Sequence, residues 1–260
     1  MPLSNEQEKE ISRLLELKIK AKLENYNPEP NNMPFHTRLL GVDRMAIFSF
    51  IQSINTMLGT SIFEQIAAII ARPHFKQVAH QYKEFNNTLS RESQAIIQEI
   101  IDSLTSSKSL PNKTTETSKI LSVSQTNNML TVKRPRIDLF IKAHDGTEYY
   151  FDLKTAKPNI GELKGYKRTL LEWVAIRGAL DKDVQIHTML AIPYNPYEPE
   201  PYQRWTFQGM FDLKNEILVA DEFWNFIGGD DTYINLLKVF EDVGIKLRPE
   251  IDARFAQFRV

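Results

Sequence analysis

The sequence predicts a mixed α/β protein in which several helices precede one central β-sheet. Residues 136–142 and 147–154 have a strand-like pattern on either side of the turn His144-Asp145-Gly146, as is typical of a β-hairpin. A helical pattern over 161–180 and an apolar run over 184–192 follow. The order strand, strand, helix, strand therefore defines the predicted sheet.

Helices are predicted for most of the N-terminal half, because apolar residues recur there every three or four positions. Ser4 and Gln7 have the spacing of a capping box, Gly59 is expected to end the second helix, and Pro73 separates the third from the fourth. The predicted helices are residues 4–24, 43–58, 61–71, 74–85 and 91–104.

A polar stretch over 105–119, nearly free of large apolar groups, predicts a flexible loop. We therefore expect a helical N-terminal region over 1–119 that packs on a core over 120–260, in one compact domain overall. The core would include a proline-rich loop over 193–205.

The composition is that of a globular protein, with 260 residues, 42% apolar and 25% charged. The chain has no cysteine, which excludes disulfides and thiolate metal sites and fits a reducing compartment. The first residues form a charged helical stretch instead of a secretory signal, and no apolar run approaches the ~20 residues of a spanning helix. These features predict a soluble cytoplasmic protein with no membrane partner.

The net charge of −1 hides an uneven distribution along the chain. Residues 1–130 carry 14 Lys and Arg against 13 Asp and Glu, and residues 183–260 carry 7 against 13. Residues 131–182 carry 11 against 7, so the basic excess lies in the segment that holds the predicted hairpin. A local basic excess of this kind favours a nucleic-acid partner.

The hairpin also holds two carboxylates and a lysine in a suggestive pattern. Asp138 lies on the first strand, and Asp152 and Lys154 lie on the second, two positions apart and hence on one face. Two carboxylates at one end of a hairpin suit Mg²⁺, and a neighbouring lysine can orient an attacking water. The pattern therefore predicts phosphodiester hydrolysis, with solvated surface charges as the alternative.

An acidic residue followed two places later by lysine occurs four times, so the short pattern alone is weak. Glu16 and Glu162 lie in predicted helices, where positions i and i+2 diverge by roughly 200°. Asp212 repeats the string Phe-Asp-Leu-Lys, but its upstream acids lie in a proline-rich loop. Only Asp152 has an acid on a neighbouring apolar strand.

Two segments, Arg134-Pro135-Arg136-Ile137-Asp138 and Phe151-Asp152-Leu153-Lys154-Thr155, resemble the PD-(D/E)xK nuclease pattern, although the proline lies three residues before the acid. Further segments are similar to the TdeIII-type type II restriction endonucleases. They are residues 36–41, 55–64, 154–159, 193–197, 201–205 and 222–229. The resemblance covers roughly residues 33–250.

This resemblance implies a restriction-endonuclease-like core and Mg²⁺-dependent cleavage of both strands of a short palindromic DNA site, of GGNCC type in similar members. It implies that Asp138 and Asp152 are metal ligands and that Lys154 is the catalytic lysine. Many nucleases of this fold add a glutamate from a preceding helix, for which we select Glu64, with an exposed helix carboxylate as the alternative. A palindromic site favours a homodimer.

Candidate DNA contacts surround the acids and fill the loop over 193–205. Cations can hold phosphates, the side chains of the loop can read bases, and Asn159 could cap a helix or present its N-terminus to a phosphate. The candidates are Lys133, Arg134, Arg136, Lys157, Asn159, Lys164, Lys167, Asn195, Tyr197, Gln203 and Arg204. For the cations over 164–168 the alternative is a solvated helix face, and for the loop it is a cover over the core.

Neither a zinc spacing among the histidines nor a glycine-rich phosphate loop is present, so no nucleotide cofactor is expected. Two other functions stay open. One is a repair or structure-specific nuclease of the same fold, which would cut only at junctions or ends. The other is a non-catalytic DNA-binding or scaffold protein, which would have no reason to bind metal together with DNA.

Overall fold

The computed structural model describes residues 3–26, 33–83, 86–154, 160–202 and 207–257. The helices are α1 (Asn5–Asn25), α2 (Pro34–Leu40), α3 (Val42–Met57), α4 (Phe63–Ala71), α5 (Arg91–Thr105), α6 (Lys113–Ser122), α7 (Leu163–Leu180), α8 (Asp221–Gly228) and α9 (Thr232–Ala256). The strands are β1 (Gln77–Tyr82), β2 (Thr88–Ser90), β3 (Met129–Thr131), β4 (Ile137–Lys142), β5 (Glu148–Leu153), β6 (Ile186–Ile192) and β7 (Ile217–Val219).

The chain divides into two compact units, one formed by Met1–Ile70 with Gly228–Val260 and the other by Ala71–Ile227. The first unit is helical. Ser4 caps α1 as its spacing predicts, because the Gln7 N–H donates to the Ser4 hydroxyl and the Ser4 N–H donates to the Gln7 side chain. Helix α1 packs against α9, and Leu23, Ala46 and Phe50 lie in the core between helices of this unit.

Gly59 does not end a helix, which corrects the boundary expected there. The helical backbone continues from α3 into α4 through a π-helical turn, Leu58–Ile62. Hydroxyl groups bond back to the preceding turn at this point, since Thr60 donates to the Thr56 carbonyl at 2.8 Å and Ser61 to that of Met57 at 3.3 Å. The stretch Val42–Ala71 is long and apolar enough to cross a membrane, but one such half-buried helix is weak evidence for a span.

The second unit is built on a mixed sheet, which among the described residues has five strands in the order β1-β4-β5-β6-β7. Strands β4 and β5 form the predicted antiparallel hairpin, and β6 joins β5 in parallel after the crossover helix α7. This confirms the predicted fold class, a central mixed sheet flanked by helices. Helix α7 covers one face, where Trp173 contacts Tyr150, and α8 covers the other, where Phe223 contacts Phe151.

Two predicted elements of this unit are wrong. Residues 74–85 were expected to be helical, but β1 lies there and pairs antiparallel with β4, with Tyr82 stacked on Phe140 at 4.5 Å between ring centroids. Distant pairing has overridden the local pattern. The loop expected over 105–119 contains the start of α6, which Asn112 caps by accepting from the Thr115 N–H.

Candidate active site

The hairpin brings the two predicted carboxylates together at one end of the sheet. Leu139 pairs with Phe151 in the β4–β5 register, so Asp138 and Asp152 face each other one position further along. The Asp138 side chain also accepts the Leu153 backbone N–H at 2.9 Å, which fixes that carboxylate beside the end of β5. The two groups therefore lie on adjacent strands as the sequence predicts.

Lys154 joins the pair from the residue that follows β5. Its Nζ lies 2.7 Å from Asp152 Oδ1, and its backbone N–H donates to the Ala191 carbonyl of β6 at 2.9 Å. Arg136, the residue before β4, has its Nε 3.3 Å from Asp138 Oδ1. Two cations thus face the two carboxylates, and the local charge is balanced.

Burial determines the electrostatic state of Asp152. The residue is buried, and burial raises the pKa of Asp152 to about 7, the nearby Asp138 adding to the rise while Lys154 opposes it. A carboxyl group with such a pKa is poorly solvated when it is ionised. A bound cation would stabilise its charged form.

The start of α7, with the residue that precedes it, adds two side chains that the sequence reasoning did not assign to the site. The Tyr166 ring centroid lies 4.4 Å from Lys154 Nζ, and the Tyr166 hydroxyl donates to the Glu162 carboxylate. Burial and then Glu162 raise the pKa of Tyr166, with a smaller contribution from Asp152. Spacing could have indicated the pair, since Glu162 and Tyr166 are four residues apart at the start of a predicted helix.

The carboxylate pair fits a magnesium ion by the chemistry of its donors. Mg²⁺ is commonly bound through one or two carboxylates, and it keeps several waters and binds substrate phosphate oxygens at its other positions. Asp138 and Asp152 supply the carboxylates, and the raised pKa of Asp152 indicates that burial disfavours its ionised form by more than Lys154 stabilises it. In the described part of the chain, no group of three or more His, Cys, Asp or Glu residues forms a complete protein metal cage.

Glu64 lies on α4, in the other compact unit, and its side chain is buried at 1% exposure. The alternative of an exposed helix carboxylate is therefore wrong. A role for Glu64 in the active site stays a prediction.

The candidate DNA contacts fall into three groups. Lys133, Arg134, Arg136 and Lys164 have exposed side chains. Lys157, Asn159, Gln203 and Arg204 lie outside the described residues. In the proline-rich loop, the Asn195 amide donates to the Glu200 carbonyl at 2.8 Å and accepts the Tyr197 N–H at 2.9 Å, so its polar atoms hold the loop's own shape.

Lys167 requires a correction, because the structure places it in the protein interior. It is fully buried, and its Nζ lies 2.5 Å from Glu116 Oε2 and 2.6 Å from Glu216 Oε2. Lys113 pairs with the other oxygen of Glu216 at 3.1 Å and donates to Thr188 at 2.6 Å. Burial disfavours the ionised form of Glu216, but the two lysines outweigh it and leave the pKa of Glu216 below its usual value. This buried network, and not a phosphate, is the partner of Lys167.

A mixed sheet that presents two carboxylates and a lysine at one end of a hairpin is typical of a nuclease that cleaves phosphodiester bonds. A family model described as type II restriction endonuclease, HinfI, matches residues 3–244. The chain belongs to this family of site-specific deoxyribonucleases.

Individual relatives agree with the family match. The type II restriction enzyme HgiCII of Herpetosiphon aurantiacus is 29% identical over 226 residues, 84% of this chain and 80% of the relative. HgiEI, a type II restriction enzyme of the same organism, is 28% identical over 229 residues, 86% of this chain and 81% of the relative. The type II restriction enzyme MjaII of Methanocaldococcus jannaschii is 25% identical over 284 residues, 98% of this chain and 74% of the relative. The resemblance to type II restriction endonucleases is thereby confirmed.

Proposed function

We propose that this restriction endonuclease is Mg²⁺-dependent and that it hydrolyses both strands of a short palindromic DNA site with Asp138, Asp152 and Lys154. The observation that carries the proposal is the convergence of these three side chains at one end of the hairpin. Family membership supports site-specific DNA cleavage, and the residues supply the chemistry that such cleavage needs.

Each of the three side chains has a distinct task. Asp138 and Asp152 would hold the cation, which when bound offsets the negative charge that builds up on the scissile phosphate. Lys154 would hold the attacking water by a hydrogen bond and orient it toward phosphorus. The backbone N–H of Lys154 donates to the Ala191 carbonyl of β6, so the main chain that carries its ammonium is fixed by the sheet.

The exposed cations nearest the acids are the proposed phosphate contacts. Lys133 and Arg134 precede β4, and Arg136 already pairs with Asp138. Phosphate contacts set the position of a duplex, whereas base contacts select the sequence. We assign base reading to the loop over 193–205, with Tyr197, Gln203 and Arg204 as its candidates, and sites of GGNCC type are the first to test.

We propose a homodimer that works in the cytoplasm on double-stranded DNA. A palindromic duplex has two-fold symmetry, and a C2 dimer places one active site against each strand. Double-strand cleavage by one bound assembly requires such an arrangement, or sequential cuts by a single site.

Digestion of a plasmid of known sequence tests the proposal, with Mg²⁺ in one arm and EDTA in the other. We expect discrete fragments only with Mg²⁺, with ends that share one short palindrome when they are sequenced. Asp152→Ala should abolish cleavage and leave DNA binding largely intact. Asp212→Ala is the matched control, because Asp212 stands in an identical Phe-Asp-Leu-Lys string but accepts the Lys113 N–H instead of facing a second acid.

Different outcomes would support the alternatives. Cleavage confined to junctions or free ends would indicate a structure-specific nuclease, and binding without cleavage in either arm would indicate a scaffold. Wild-type cleavage rates in Asp152→Ala would remove the site assignment even if the plasmid is cut at a palindrome.

A further inference from the structure

We propose that Tyr166 is a positioning residue that holds the Lys154 ammonium in place for cleavage. This inference rests on the proposed function, because it assumes that Lys154 acts on the attacking water. It assigns a role to the first turn of α7, which lies outside the Asp138, Asp152 and Lys154 motif.

The geometry places the ammonium between a carboxylate and an aromatic face. Lys154 Nζ lies 2.7 Å from Asp152 Oδ1 and 4.4 Å from the centroid of the Tyr166 ring. A lysine ammonium within about 6 Å of a ring centroid is attracted by the electron density of the ring face. The ring therefore restricts a side chain that otherwise has four rotatable bonds.

The ring of Tyr166 is held chiefly because its helix is anchored, and its hydroxyl adds one further contact. Its hydroxyl donates to Glu162, one helical turn before it. The next residue, Lys167, has its ammonium fixed between Glu116 and Glu216 in the buried network. The first turns of α7 are thus anchored to α6 and to the segment before β7, and the ring of Tyr166 is directed at Lys154.

The consequence concerns the rate of cleavage and not the affinity for DNA. If Asp138 and Asp152 hold a cation that also binds the scissile phosphate, Asp152 would be a weaker partner for Lys154. The ring would then be the main restraint on the ammonium. A displacement of a catalytic group by about 1 Å can slow a reaction by roughly 100-fold. Loss of the ring should therefore slow the chemical step while binding, which Lys154 does not dominate, is preserved.

The experiment compares Tyr166→Phe with Tyr166→Leu in single-turnover cleavage of the plasmid, with enzyme in excess and Mg²⁺ saturating. We expect Phe, which keeps the ring, to cleave within about 3-fold of the wild-type rate, and Leu to cleave about 10-fold more slowly or worse. The dissociation constant for the plasmid in EDTA should change by less than about 2-fold in both variants. Retained cleavage in Tyr166→Phe would show that the ring is the group that matters. If the hydroxyl had a purely structural role, Tyr166→Phe would lose activity as well.

Several results would overturn the inference. One is a Tyr166→Leu rate equal to that of the wild type, and another is an equal loss in Phe and Leu. A loss in Leu that is matched by weaker plasmid binding would also contradict it. If Tyr166→Leu does not fold, as judged by circular dichroism, Tyr166→Met serves as the second ring-deleting variant with the same expected loss.

Failure of the proposed function would look different. In that case the wild-type protein does not cut with Mg²⁺, or Asp152→Ala still does, whatever the Tyr166 variants do. If cleavage requires Mg²⁺ and Asp152 but Tyr166→Leu cleaves at the wild-type rate, only the role proposed for Tyr166 is contradicted.

Discussion

Replacement of Asp152 by asparagine should change how the stability of the metal-free protein depends on pH. The ordinary pKa of an aspartate is near 4, and in the folded protein burial raises that of Asp152 to about 7. Between these two values the folded state binds a proton that the unfolded state has released. The free energy of unfolding therefore falls as pH rises through this window.

The size of the effect follows from the two pKa values. Each pKa unit is worth about 1.4 kcal/mol, so the ionised Asp152 destabilises the metal-free fold by roughly 4 kcal/mol above pH 7 compared with pH 4. Asparagine has the same shape and no charge to desolvate. The free energy of unfolding of Asp152→Asn should not fall with pH in this way. The variant should be more stable than the wild type at pH 8 in EDTA.

Urea unfolding at pH 4, 5, 6, 7 and 8, in EDTA and again in Mg²⁺, measures the difference. In EDTA we expect the two proteins to differ least at pH 4, to diverge as pH rises toward 7, and to keep a constant difference above it. Mg²⁺ should restore wild-type stability at pH 8 and leave Asp152→Asn nearly unchanged, because only the wild type has a full carboxylate pair. Parallel pH curves in EDTA would refute the conclusion that burial disfavours the ionised form of Asp152.

Asp212→Asn is the matched control for this measurement. Burial acts to raise its pKa, but hydrogen bonds from Asn215 and the Lys113 backbone outweigh burial and hold the pKa of Asp212 below the ordinary value. Its ionised form stabilises the fold above the unfolded pKa, and that stability is lost as pH falls. The control should therefore be less stable than the wild type at neutral pH, with no response to Mg²⁺.

Two further variants test the surrounding assignments. Lys167→Met should lower the free energy of unfolding by about 3–5 kcal/mol, because it removes the ammonium that pairs with buried Glu116 and leaves Lys113 as the cation beside buried Glu216, whereas Lys164→Met at an exposed position should change it by less than about 0.5 kcal/mol in the same urea titration. Arg134→Ala should weaken plasmid binding and reduce the slope of log affinity against log salt by about 1, while Lys182→Ala, exposed at the far end of α7, should leave that slope unchanged.

The hairpin could be predicted because its signals are local. Two strand-like segments, 136–142 and 147–154, and a turn that ends at Gly146 indicate both the strands and their register, and the register in turn places Asp138 opposite Asp152. Strand β1 could not be predicted in the same way, because what makes Gln77–Tyr82 a strand is its pairing with β4, some 60 residues later. A weak local pattern yields to such a partner.

The burial of Lys167 could not be predicted from the sequence for the same reason, because its partners are distant in the chain. In the sequence it stands beside Arg168 and near Lys164, a run that reads as a solvated helix face or a phosphate contact. Its true partners, Glu116 and Glu216, are 51 and 49 residues away, on either side of it in the chain. Only the packed fold reveals that this lysine is internal, and the same packing directs its neighbour Tyr166 toward Lys154.

The two copies of Phe-Asp-Leu-Lys show how context decides chemistry. At 211–214 the aspartate follows no strand and accepts backbone N–H groups from Lys113 and Asn215, which satisfy its charge and make it structural. At 151–154 the string ends a buried strand, and the aspartate meets another carboxylate across the hairpin, with a lysine and an arginine as the nearby cations. A carboxylate satisfied by fixed amides has little need of a metal ion, whereas a buried carboxylate that faces a second acid gains from one. The neighbours of the motif, and not the motif itself, therefore make Asp152 the metal-binding candidate of the two.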